Sequence, residues 1–151
     1  MPVVTPRKIL DAIENRYAAL EDPGIRDFLI AGERFYPADA VDAPIGQQRQ
    51  WYDALCREFD VAPPRGMTKS DGLVEGRVAI RSYRPAEMRT QTRLLYIHGG
   101  GFVVGSLDSH DAICAEISDV VGAELVSVDY RLAPEHPFPA GADDAVAATN
   151  W

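Results

Sequence analysis

Arg93-Leu94-Leu95-Tyr96-Ile97-His98-Gly99-Gly100-Gly101-Phe102 is the stretch on which the fold turns. Its first five residues form a short, almost wholly apolar run, the pattern of a strand covered on both faces in a parallel sheet. The run enters three glycines directly, so a strand over 93–97 ends in a loop at its carboxyl end, where α/β sheets place their ligand chemistry. Downstream, Ile113, Ile117 and Val120-Val121 repeat at helical spacing from about Asp108 to Val121, and Gly122 supplies a C-terminal stop. Glu124 to Asp129 then reads as a second buried-type strand. Strand, helix, strand is an α/β unit, for which a right-handed crossover is expected.

Upstream, Gly76 separates Leu73-Val74-Glu75 from a second strand-like run, Arg77 to Arg84, which Pro85 closes; the two predict an antiparallel pair. Before Met67 the signal is helical. Thr5-Pro6 starts a helix carrying Ile9, Ile13, Tyr17 and Leu20, Asp22-Pro23-Gly24 breaks it, and a short segment follows around Ile25 to Ile30. Asp42 is placed to cap a further helix with Trp51, Tyr52, Leu55 and Phe59 on one stripe, which Pro63-Pro64 ends. Beyond the proline-rich Leu132 to Pro139, a last helix starts near Ala140 and is predicted to be still unfinished at Trp151. The expected division is residues 1–65 as a helical cap or flank and 66–151 as the first part of an α/β core, with more chain expected to follow.

The 151 residues, 46% hydrophobic and 25% charged, lie in the range of ordinary globular domains. With 15 Lys+Arg against 23 Asp+Glu the net charge is -8, which argues against nucleic acid as a partner, because phosphate neutralisation needs a basic face. Cys56 and Cys114 stand 58 positions apart without a C-x-x-C pair, so both are read as reduced thiols. No signal-peptide core and no transmembrane-length apolar run is present, and a cytoplasmic location is the expectation.

Three consecutive glycines after a strand let backbone N–H groups turn outward and approach a substrate oxygen without interference from a Cβ. Acyl transfer passes through a tetrahedral oxyanion, and removing one preorganised N–H donor there costs roughly 3 to 4 kcal/mol. A glycine triplet alone also fits a phosphate loop or a plain turn. The sequence lacks G-x-x-x-x-G-K-[ST], and Gly99, Gly101 and Gly105 miss the G-x-G-x-x-G spacing by one place, which leaves a dinucleotide site as a weak alternative. His98, His110 and His136, spaced by 12 and 26, match no common metal-ligand pattern, and no metal or other cofactor is expected. Ser106 fails G-x-S-x-G and is read, with Asp108, as a helix cap.

The reading narrows because Phe102 is followed, 27 residues later, by Asp129-Tyr130-Arg131-Leu132-Ala133-Pro134-Glu135-His136-Pro137-Phe138-Pro139-Ala140. The two blocks in this order resemble the hormone-sensitive-lipase branch of the α/β hydrolases, from about Met67 to Trp151, including the connection from Gly105-Ser106 to His110-Asp111. The resemblance implies the N-terminal portion of an α/β-hydrolase fold, its first strands followed by a mostly parallel sheet. It implies a serine carboxylesterase acting on short acyl esters, with amides as an alternative on the same loop.

In that family the second and third glycines present N–H groups to the oxyanion, which carries over to Gly100 and Gly101. His98, Gly99, Asp129, Tyr130 and Arg131 are expected to support the loop, and Phe102 to pack or to contact substrate. Serine, acid and histidine follow this loop in the family's order, and no G-x-S-x-G occurs here; Asp143-Asp144 precede any possible nucleophile and are read as helix-dipole residues. The chain alone is therefore expected to be inactive. Since the family sets this strand between its fourth and fifth, 93–97 is expected as an open edge that pairs with the C-terminal remainder of the enzyme or with another copy. The competing reading is a non-catalytic remnant serving as a folding or interaction module.

Overall fold

A computed structural model describes residues 15–37 and 39–151, which fall into two compact units, Met1–Pro44 and Ile45–Trp151. The helix start at Thr5-Pro6, with Ile9 and Ile13, lies outside the described residues. Within the first unit, Asp22-Pro23-Gly24 opens a helix instead of only closing one. Asp22 Oδ1 accepts from the Ile25 N–H at 3.0 Å and Pro23 occupies the first turn of α1 (Pro23–Gly32), where a missing N–H costs no hydrogen bond. Arg16 and the Tyr17 hydroxyl both bond Glu33. Asp42 falls in a short 3-10 turn, Ala40–Asp42, and does not cap the next helix.

The second unit begins with α2 (Ile45–Glu58). Phe59 lies one residue past the end of α2 and is 43% exposed. Then come β1 (Thr68–Val74), β2 (Val78–Arg84), β3 (Arg93–Ile97), α3 (Asp111–Val121), β4 (Glu124–Asp129) and α4 (Ala140–Thr149). The sheet order is β1-β2-β4-β3; β2 runs antiparallel to β1 and β4, and β3 runs parallel to β4.

β4 is the strand buried on both faces. Leu125 meets Tyr83, Cys114 and Ala115 on the α3 side, while Val126 and Val128 join Val74, Val78, Ile80 and Ala148 on the α4 side. Each large apolar side chain so buried contributes about 1.5–3 kcal/mol. Burial pushes the Cys114 thiol up to about 11, and Cys56 and Cys114 are both free. β3 is not covered on both faces. It is the open edge expected from the resemblance, with Leu95 38% and Ile97 42% exposed beside a cleft of about 210 Å³ lined by Leu94, Val126, Ala148 and Trp151.

Helix α3 is fixed at both ends by side chains from elsewhere. At its start Arg81 bonds Asp71, Asp108 and Asp111, and Asp111 also accepts from Lys69 and the Tyr83 hydroxyl. Neither Ser106 nor Asp108 caps the helix: Ser106 and Ser109 bond one another reciprocally in the turn before it, at 2.8 and 3.1 Å. At its end Gly122 adopts φ 68, and Arg89 bonds the carbonyls of Asp119 and Val120. Helix α4 spans Ala140–Thr149, and Asn150 keeps helical backbone geometry with its N–H bonded to Val146 and Ala147.

Candidate functional site

The carboxyl end of β3 runs into the glycine loop, and the carbonyls of His98, Gly99 and Gly100 are each tied down. His98 is 3% exposed, stacked on Tyr130 with ring centroids 4.2 Å apart, and its main-chain oxygen accepts the Tyr130 hydroxyl at 2.8 Å. Its Nδ1 lies 2.8 Å from the Gly99 oxygen. A carbonyl can only accept, so Nδ1 carries the proton and donates. In a trans peptide the C=O and the next N–H point in opposite directions. Holding the Gly99 oxygen on His98 therefore turns the Gly100 N–H away from the core.

The next plane repeats the device. The Gly100 oxygen accepts from the N–H groups of Val103 and Val104 at 3.1 and 3.0 Å, which turns the Gly101 N–H outward. Neither the Gly100 nor the Gly101 N–H has an acceptor among the described residues. Gly100 has φ 121, and a Cβ there would fall 2.0 Å from the Val104 oxygen, so this turn closes only over glycine. A Cβ on Gly105 would strike His98 Nδ1 at 2.3 Å, whereas one on Gly101 would meet open space.

The second sequence block braces the loop from below. The Ala133 N–H donates to the Phe102 oxygen at 2.8 Å, and Phe102 stands edge-on to Tyr130 while remaining 63% exposed. Arg131 donates through its backbone N–H, Nε and a terminal nitrogen to both oxygens of Asp144, at 2.8–3.0 Å. Asp144 is 1% exposed; burial would raise its carboxyl, but Arg131 and Arg77 hold it below the usual range. Asp144 is thus an anchor for the 130s segment and more than a helix-dipole residue. Asp129, at the end of β4, is exposed overall yet crowded: desolvation lifts its carboxyl above the usual range, opposed by His98. A cleft of about 310 Å³ lies beside the loop, lined by Phe102, Arg131, Ala133, His136 and Phe138.

Two of the three histidines meet. His98 and His110 stack at 5.3 Å, and Tyr52 and Tyr96 approach His110 at 6.2 and 6.0 Å. Burial lowers both imidazoles below their ordinary range; His98 adds to the effect on His110. His136 lies in the cleft instead, and no metal-binding cluster forms among the described residues. Sequence reading passed over Arg49 altogether. From α2 it donates to the Val103 oxygen (2.8 Å), the Ala133 oxygen (2.9 Å) and both oxygens of Glu135. Nothing in the residues around Arg49 signals that its partners stand 54 to 86 positions away.

Residues 94–151 match the alpha/beta hydrolase fold family. The chain is 51% identical over 79 residues to the esterase LipI of Mycobacterium tuberculosis, covering 50% of this chain and 25% of that protein. It is 35% identical over 135 residues to the carboxylic ester hydrolase LipN of the same organism, covering 86% and 35%. A solved esterase of the bacterial hormone-sensitive lipase family superposes with TM-score 0.66 at 26% identity, covering 99% of this chain and 43% of that one. The chain therefore spans about a quarter to a third of the length of these curated relatives.

Proposed function

The chain belongs to the α/β hydrolases of the hormone-sensitive-lipase type, as their N-terminal part, and from that premise we propose that it supplies the oxyanion hole of a serine carboxylesterase. The Gly100 and Gly101 N–H groups are the donors. The observation that carries this reading is that both are without protein acceptors while the carbonyl of the same peptide plane is held on the opposite side. Donors fixed before substrate arrives stabilise the developing oxyanion without reorganisation, which is what acyl transfer requires.

In this reading Tyr130 and His98 set the height of the loop, Arg131 with Asp144 anchors the segment beneath it, and Asp129 places negative charge near the His98 ring. Phe102 and the adjoining cleft contact the acyl or alcohol group of a short ester. The nucleophile, its histidine and the triad acid come from a segment that pairs with the free edge of β3. The reaction then runs by serine attack, collapse to an acyl-enzyme and hydrolysis by water. The chain without that segment does not turn over.

The test is a denaturing intact-mass spectrum of purified native protein just assayed on a short p-nitrophenyl ester. Hydrolysis together with sequence bearing a G-x-S-x-G serine, in the same polypeptide or a companion, is the expected result. Hydrolysis by the 151 residues alone would show that the nucleophile has been misplaced. No hydrolysis in the presence of the serine segment would remove the esterase reading.

A further inference from the structure

Arg49 is joined to the proposed oxyanion donors by an unbroken chain of hydrogen bonds. Its Nε donates to the Val103 oxygen at 2.8 Å. The N–H across that peptide plane, of Val104, donates to the Gly100 oxygen at 3.0 Å. The N–H across the following plane is that of Gly101. Because each plane is rigid and trans, fixing the first carbonyl fixes the direction of the last N–H, and hydrogen bonds in series polarise one another in the same sense. A second arm of the same guanidinium holds the Ala133 oxygen, whose residue's N–H is bonded to the Phe102 oxygen, so Arg49 straddles both sides of the loop.

We infer that Arg49 is a positioning residue that orients and polarises the Gly101 N–H through the Val103–Val104 and Gly100–Gly101 peptides, while His98 does the same for Gly100. The inference rests on the oxyanion reading for its catalytic meaning, although the relay itself is a matter of structure. The role requires the planar fork of arginine: one nitrogen must reach Val103 while two others reach Ala133 and Glu135, a geometry that the single ammonium of lysine does not reproduce. Glu135 is an accessory. Its side chain is half exposed, and it steadies the guanidinium from outside without touching the loop.

The experiment compares Arg49→Lys, Arg49→Ala and Glu135→Gln with wild type in 15N-labelled native protein carrying its serine segment. It follows the Gly100, Gly101 and Val104 amide signals, their hydrogen exchange, and kcat and KM on a short p-nitrophenyl ester. In Arg49→Lys and Arg49→Ala the Gly101 and Val104 amides should shift and the Val104 amide should exchange at least tenfold faster, while Gly100 and the amides of β2 and β4 stay as they were. A loop donor displaced by this much should lower kcat up to about a hundredfold with little change in KM. Millimolar guanidinium should restore part of the activity of Arg49→Ala, and Glu135→Gln should lie close to wild type.

Unchanged Gly101 and Val104 amides in folded Arg49→Lys would overturn the relay, as would equal disturbance of Gly100. If Arg49→Ala does not fold, the Lys and Gln variants decide. If wild type hydrolyses no ester, the esterase reading fails, while the amide comparison still judges the relay.

Discussion

Two turns of this chain place consecutive residues in the left-handed region of backbone space, and they differ in how firmly their free amides are aimed. In the β1–β2 hairpin, Glu75 and Gly76 have φ 50 and 70, and the Arg77 N–H closes the turn on the Val74 oxygen at 3.0 Å. In the loop after β3, Gly100, Gly101 and Phe102 have φ 121, 61 and 64, and the closing bonds come from Val103 and Val104. Each turn is closed by an N–H three residues on and leaves its central amides without an acceptor among the described residues, but the loop holds two successive carbonyls, Gly99 on His98 and Gly100 on Val103 and Val104, where the hairpin holds only that of Val74. Positive φ is common to both. What separates the two turns is how many successive carbonyls are held, and so how many outward amides are fixed in direction.

Glycine substitutions break this comparison most sharply at Gly100. Gly100→Ala places a methyl against the Val104 oxygen, and opening that turn should lower kcat by about 10²–10³, measured as ester hydrolysis by the serine-bearing protein. Gly105→Ala follows, because its methyl collides with the His98 ring and the Gly99 oxygen; it should lower both the melting temperature and kcat. Gly101→Ala and Gly76→Ala should then resemble each other. Both methyls meet open space, so only the strain of positive φ remains, about 1–2 kcal/mol each by denaturant titration. Gly76→Ala should leave kcat untouched.

The gentlest effect is on pH. His98 and His110 are held below the ordinary imidazole range by burial, so the unfolded chain binds these protons more readily than the folded one. Their contribution to stability is complete above the unfolded value of about 6.5 and is lost as pH falls from there through the folded values. Melting temperature should therefore decline between pH 7 and 5, and His110→Gln should flatten that slope. A slope of the opposite sign would mean that the rings gain a charged partner on folding.

Much of this was legible because it is local. β4, with Leu125, Val126 and Val128 at its centre, appears over the predicted range, Gly122 ends α3 as a left-handed C-cap, and the glycine triplet follows β3 directly. β3 and β4 read alike in sequence, yet β3 is half exposed and β4 buried, since composition does not say which strand has a neighbour on each side. The caps were misread for a related reason. Asp42 and Asp108 are capping types by propensity, but in the fold one sits in a 3-10 turn and the other pairs with Arg81.

The supports of the candidate site were the least visible. Arg49, Asp144 and His110 carry no spacing rule relative to the loop; they reach it only once α2, α4 and α3 are in place. Gly100 and Gly101 could be named in advance as proposed donors because that role would fall to the backbone and not to a distant side chain.

The most direct test of that role follows the Gly100 and Gly101 amide proton signals while the native serine-bearing protein is titrated with an alkyl phosphonate ester, whose phosphoryl oxygen occupies the position of the oxyanion. Both signals should move strongly downfield as the serine becomes modified, with Gly76 unmoved. If the serine is fully phosphonylated and both signals stay in place, these N–H groups are not the oxyanion hole.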